Sequence, residues 1–235
     1  ELSFQVEAAK PLLYAATPTL VFKLRVSNMD TAEPIHSILL RCQIQMEVTR
    51  RRYNEAEQSR LFDLFGVPEQ WSRTLRSMLW TNTTMVVPSF FGSTLVDLLV
   101  PCTFDFNVAA TKYFAGLEDG EVPLVLLFSG TIFYQSTTGA LQVVQIPWEK
   151  EADFRLPIQV WQQMMESYYP NSVWLCLRRD VFDRLHHYKI QHGLPTWEQT
   201  LERILPAPKS EAEFNFEEAE EDRQDNAESK SETNH

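Results

Sequence analysis

The densest run of chemically capable side chains is Arg50-Arg51-Arg52-Tyr53, with Arg60, Arg73 and Arg76 further along the same stretch. Guanidinium groups beside an aromatic ring can hold a carboxylate or phosphate through paired hydrogen bonds. The run also reads as a solvated basic junction, as arginines paired with Glu55 and Glu57, or as a receptor for the acidic C-terminal stretch. A second candidate is Tyr168-Tyr169-Pro170-Asn171-Ser172-Val173-Trp174, which brings three aromatics to a helix-to-strand junction. Tyr and Trp dominate binding hot spots, and aromatics equally serve to join one structural layer to another. Arg50, Arg51, Arg52, Tyr53, Tyr168, Tyr169 and Trp174 are therefore the candidate partner contacts.

Side chains for catalysis or metal binding are present without the required spacing. His186 and His187 are adjacent, so on a helix they diverge by about 100°. His192 lies five or six residues on rather than the four that put two ligands on one face; His36 has no sequence-near partner and His235 falls in the tail. Cys42, Cys102 and Cys176 are widely spaced, with no C-x-x-C pair. Cys176 with His187 is a conceivable nucleophilic pair, and a buried thiol is the plainer reading. Ser129 lacks the glycine two residues earlier that a nucleophile elbow needs. Asp97, Asp105 and Asp119 are dispersed carboxylates, and Asn82-Thr83-Thr84 matches a glycosylation acceptor only by chance in a chain without secretion. The seven glycines form no G-x-G-x-x-G or G-x-x-x-x-G-K pattern, which removes the usual backbone cradles for phosphate. No catalytic, cofactor or metal residue is assigned, and no enzyme activity is expected.

The chain that must position these residues has 235 residues, 44% of them hydrophobic and 12% aromatic, enough to bury a core without metal or disulfide staples. The net charge of −11 is uneven: ten acids against Lys209, Arg223 and Lys230 leave 209–235 at −7 and the remainder at −4. A nearly balanced globule with an acidic end does not gather phosphates, so nucleic-acid binding is not expected. The start shows no basic region followed by an apolar run, and the longest weakly polar stretch, 122–134, is too short to span a bilayer. With unpaired cysteines, this reads as a cytoplasmic protein without membrane insertion.

Leu20, Phe22, Leu24 and Val26 alternate with Val21, Lys23, Arg25 and Ser27, and Ile38 to Met46 alternates likewise; both predict strands, joined as an antiparallel hairpin across 28–34. Leu2 to Val6 adds a neighbour. Asn54-Glu55-Ala56-Glu57 has capping-box form, Gly66 ends the first helix, and Pro68 opens a second carrying Trp71. Strands are expected at 80–87, 95–108, 122–134 and 141–146, with 108–117 better suited to a helix. After Pro147-Trp148 the pattern becomes largely helical: Pro157 opens a helix with Val160, Trp161, Met164 and Met165, another runs from Asp180 to His192, and Thr196 caps the last. The sum is an α+β protein: an antiparallel sheet or sandwich with a helical insert at about 54–79 and a helical appendage at about 157–205. One domain over 1–205 precedes an acidic tail, 206–235, with no apolar pattern and expected to be disordered.

The segments 18–22, Leu40-Arg41-Cys42-Gln43-Ile44, Arg51-Arg52-Tyr53, Leu61-Phe62-Asp63-Leu64-Phe65-Gly66, Val100-Pro101-Cys102-Thr103, Lys112-Tyr113-Phe114, 120–124, Leu127-Phe128-Ser129-Gly130-Thr131 and Tyr169-Pro170-Asn171-Ser172 stand together in this chain. In these the chain resembles an uncharacterised bacterial family, domain of unknown function 6084. The resemblance covers about Leu2 to Leu205. Genes of that family tend to lie beside nickel–iron hydrogenase genes, which implies a non-catalytic accessory role, as a chaperone or assembly factor whose partner is a hydrogenase subunit or maturation factor. The alternative is a small-molecule-binding module or an unrecognised enzyme with a pocket between the sheet and the C-terminal helices.

Overall fold

A computed structural model describes residues 1–29, 34–102, 108–135, 139–172 and 177–205. The two alternating runs of the first half become β2 (Thr19–Asn28) and β3 (Ile35–Met46). Leu20, Phe22, Leu24 and Val26 on one, and Ile38, Leu40, Cys42, Ile44 and Met46 on the other, are all buried. The expected hairpin between them does not form. β2 pairs with β1 (Leu2–Pro11) and β5 (Ser93–Pro101), whereas β3 pairs with β4 (Met78–Val87) and β6 (Glu121–Gln135). Each run has one strongly apolar face, and the two faces meet across a sandwich instead of lying edge to edge, which buries both.

The sheets are antiparallel, in the orders β1-β2-β5 and β4-β3-β6-β7, where β7 is Leu141–Gln145; β8 (Glu151–Pro157) also pairs with β6. Ring contacts tie the layers together: Phe4 stacks on Phe128 at 4.3 Å between centroids, and Phe22 meets Trp80 and Phe154 edge-on. β8 was not expected, because Pro147-Trp148 suggested a change to helix. Its residues alternate Glu-Ala-Asp-Phe-Arg-Leu, with Ala152 and Leu156 buried and Glu151, Asp153 and Arg155 exposed, which is a period-two strand. β7 and β8 run along the same edge of β6, separated by a bulge at 146–150. Ile146 N–H donates to the Gly130 carbonyl at 2.9 Å and Phe128 N–H to the Lys150 carbonyl at 2.8 Å. Opposite this bulge only glycine fits: Gly130 has φ +141°, and a Cβ there would sit 2.0 Å from the Leu39 carbonyl oxygen.

Helices gather at the end of the sandwich where β3 finishes and β4, β6 and β2 begin. Between β3 and β4 lie α1 (Glu55–Arg60), α2 (Phe62–Phe65) and α3 (Trp71–Thr74), the last preceded by a 3-10 turn at Pro68–Gln70. The capping box forms as read, with Asn54 Oδ1 accepting from Glu57 N–H at 2.8 Å and the Glu57 carboxylate accepting from Asn54 N–H. α4 (Val108–Gly116) precedes β6, so the strand expected over 95–108 stops at Pro101; residues 103–107, with Asp105, lie outside the described set. α5 (Ile158–Tyr168) follows β8 and packs on β1, β2, β8 and α4.

By backbone contacts the chain divides into two units, Glu1–Trp174 and Leu175–His235. The second contains α6 (Arg179–Gln191) and α7 (Trp197–Ile204). Trp197 packs against Phe182 and His186 there, and the Thr196 hydroxyl caps α7 by accepting from Gln199 N–H at 3.2 Å. Trp174, Cys176 and the acidic stretch 206–235 lie outside the described residues.

Candidate functional site

The Arg50 to Tyr53 run leads from β3 into α1, and the fold divides its members between different tasks. Arg51 turns inward: its side chain is 9% exposed and pairs with the Glu57 carboxylate, itself 3% exposed. Its guanidinium also donates to the Asp119 carbonyl at 2.6 Å and the Glu121 carbonyl at 3.1 Å, while Nε has no partner among the described residues. Glu57 closes the arrangement by accepting from Glu118 N–H at 3.0 Å. The carboxylate is thus shared by the arginine, the helix cap and the α4–β6 connection, so Arg51 clamps three segments together. Gly120 leaves room for it, since a Cβ there would come within 3.1 Å of Nη1 at a φ of +84°.

Tyr53 is half-buried below that pair. Its hydroxyl donates to the Val48 carbonyl at 2.7 Å, so the fully buried Tyr113 hydroxyl, 3.0 Å away, donates to Tyr53. Burial pushes the Tyr53 phenol up to about 12, the Tyr113 hydrogen bond opposing it, and raises Tyr113 further for the same cause. Arg50 is exposed and lies near Glu47 and Asp153 at 3.7 and 3.4 Å, Arg52 is exposed, and Arg60 pairs with Glu118 at 3.0 Å. Of the four residues, only Arg50 and Arg52 present their charge to solvent.

Tyr168 and Tyr169, adjacent in sequence, separate in role. The Tyr168 hydroxyl lies 3.1 Å from the Leu12 carbonyl and 3.0 Å from the Ala15 carbonyl, tying the end of α5 to the β1–β2 loop. Tyr169 instead lines an open groove of about 420 Å³ between α4 and α5. The groove is floored by Phe114 and Trp161, whose rings stack at 5.2 Å, and by Met165. Lys112, Gln162 and Glu166 supply polar atoms along it. Phe114, Trp161 and Met165 are legible in the sequence as apolar helix positions, Trp161 and Met165 being four apart. That α4 and α5 lie side by side is a tertiary fact.

Cys42 and Cys102 are free and buried, and desolvation pushes each thiol up to about 12. Among the described residues no three His, Cys, Asp or Glu side chains come together as a metal ion would require. His186 stacks on Phe182; His187 lines a shallow depression with Val181, Arg184 and Tyr188, with no acid among the described residues that line it. Asp97 pairs with Lys23 across β5 and β2, on the solvent face of that sheet. No helix among the described residues is long and apolar enough to cross a membrane.

Two antiparallel sheets with inserted and appended helices define an α+β protein. The chain belongs to the family of unknown function DUF6084, whose model matches residues 1–213. No curated protein matches it.

Proposed function

We propose that this is a non-catalytic interaction protein of the cytoplasm that receives an apolar side chain of a client protein in the groove between α4 and α5. The observation that carries this reading is the aromatic floor: Phe114, Trp161, Met165 and Tyr169 line an open groove flanked by Lys112 and Glu166. Apolar pockets with a polar rim are where interface anchors seat, and Tyr is among the residues that dominate them. The resemblance noted above makes a nickel–iron hydrogenase subunit or maturation factor the client to test first, with the protein acting as a chaperone or assembly factor. In this reading Arg51, Tyr53 and Tyr168 hold the fold, and Tyr169 contacts the client.

A second reading rests on the same volume, which falls in the range of small-molecule sites. The groove's openness favours the protein client. Calorimetry with purified hydrogenase large and small subunits and maturation factors tests the proposal directly. The expected result is saturable binding to one of them, weakened tenfold or more by Tyr169→Ala in a protein of unchanged circular dichroism. Undiminished binding by that variant, or no binding to any of these proteins together with full hydrogenase activity in a deletion strain, overturns it.

A further inference from the structure

The end of the sandwich opposite α1–α5 carries a different surface. β7 reads Leu-Gln-Val-Val-Gln, and every residue in it is exposed, with Leu141 at 59%, Val143 at 56% and Val144 at 46%. It pairs with β6 on one side, and among the described residues nothing pairs with its other edge. The Ile146 N–H bond to the Gly130 carbonyl continues the β6–β7 register, so even-numbered residues of β7 direct their backbone groups toward β6. Leu141, Val143 and Gln145 therefore direct their N–H and C=O groups outward. Their side chains also share the outer face of the sheet with Phe133 and Leu39.

Other edges of this protein are guarded. β1 carries Glu7 and Lys10, and β8 carries Glu151, Asp153 and Arg155. β4 is uncharged but lies against β5, where the Thr83 hydroxyl donates to the Leu99 carbonyl at 3.0 Å. β7 has neither protection: from Gly139 to Pro147 the chain holds no charge. Native proteins normally blunt such an edge with lysine, proline or a covering element, because it is a template for another strand.

We propose that β7 is a self-association edge, where a second copy of this chain pairs antiparallel with it about a two-fold axis through Val143. A two-fold antiparallel contact places residues of the same face opposite one another, so the register sum must be even. Centring on Val143 sets Val143 against Val143, Leu141 against Gln145 and Gln142 against Val144. In that register the outward-directed residues 141, 143 and 145 of one copy face 145, 143 and 141 of the other as hydrogen-bonded pairs, completing six backbone bonds. No like charges meet anywhere from 139 to 147, which is what allows the edge to face itself. The two five-stranded sheets then continue into one, with the ends that carry α1–α5 pointing away from the junction. This surface lies at the opposite end from the α4–α5 groove and stands independently of the client-binding reading.

Sedimentation velocity of the full chain from low to high micromolar concentration reads the proposal. The expected result is a concentration-dependent monomer–dimer equilibrium. Val143→Lys sets two ammonium groups against each other on the axis and abolishes the dimer, while leaving thermal stability unchanged because position 143 is exposed. Val143→Cys in a Cys176→Ser background forms a cross-linked dimer under mild oxidation, since Cα atoms of a hydrogen-bonded antiparallel pair lie about 5.5 Å apart, within disulfide reach. A wild-type chain that stays monomeric throughout, or a dimer that persists in a folded Val143→Lys protein, overturns the assignment. If Val143→Lys fails to fold, absence of a cross-linked Val143→Cys species overturns it instead.

Discussion

Replacing Arg51 with methionine removes the cation that, among the described residues, pairs with the Glu57 carboxylate, and the structure sets the size of the effect. Both side chains are nearly inaccessible, at 9% and 3% exposure, so water cannot take over the pairing. Glu57 would keep only its backbone donors, Glu118 N–H at 3.0 Å and Asn54 N–H at 3.3 Å. Removing one partner of a buried ion pair costs about 3–5 kcal/mol, because the remaining charge stays desolvated. The Asp119 and Glu121 carbonyls also lose their donor, but these bonds lie near the surface and water can replace it. With a urea dependence of about 2.5 kcal/mol/M, in the upper part of the usual range, the midpoint should fall by about 1–2 M. Glu57→Leu combined with Arg51→Met should lose less than the sum of the two single variants, since the uncompensated charge is gone. Urea titration followed by circular dichroism and tryptophan fluorescence measures all three. A loss under about 1 kcal/mol for Arg51→Met, the level of an exposed pair, would refute the reasoning, as would strict additivity.

Gly130→Ala should prevent the wild-type pairing of β3 with β6. Its Cβ would lie 2.0 Å from the Leu39 carbonyl oxygen and φ is +141°, so the expected outcome is an insoluble protein or a strongly lowered melting temperature by calorimetry. A soluble variant that melts like wild type would contradict this placement of the strands. At alkaline pH, Cys42, Cys102 and Tyr53 ionise in the unfolded chain from about 9 or 10, whereas burial holds them protonated in the folded protein up to about 12. Their contribution to stability is complete below pH 9 and lost as pH rises toward 12. Urea midpoints should therefore fall over that window, and Cys42 and Cys102 should resist alkylation at pH 8 until the chain is unfolded. Rapid labelling of either thiol in the native protein would count against its burial.

Local patterns carried much of the architecture. The alternation at 20–26 and 38–46 marked two strands and their buried faces, and Asn54 with Glu57 marked a helix start down to its hydrogen bonds. Pairing was another matter, because a strand with one apolar face satisfies the same pattern whether its neighbour in sequence lies beside it or across the core. β2 and β3 took the second course. β8 was missed although Ala152, Phe154 and Leu156 alternate with charged residues; the preceding Pro147-Trp148 marks a bulge, and the chain resumes its extended path after it.

The candidate site divides along the same line. Residue types alone mark Arg50 to Tyr53 and the 168–174 aromatics as dense in interaction chemistry, and Glu55 and Glu57 lie close enough in sequence to pair with the arginines. Composition and spacing also showed an uneven acidity and no phosphate-binding glycine loop. Only the tertiary structure decided that Arg51 faces Glu57 in the interior while Arg52 faces water, and that Tyr168 ties α5 to a loop while Tyr169 lines a groove. Side-chain chemistry is a property of the residue, readable wherever it stands. Burial, pairing and the meeting of α4 with α5 depend on contacts between segments distant in the chain, which no local pattern encodes.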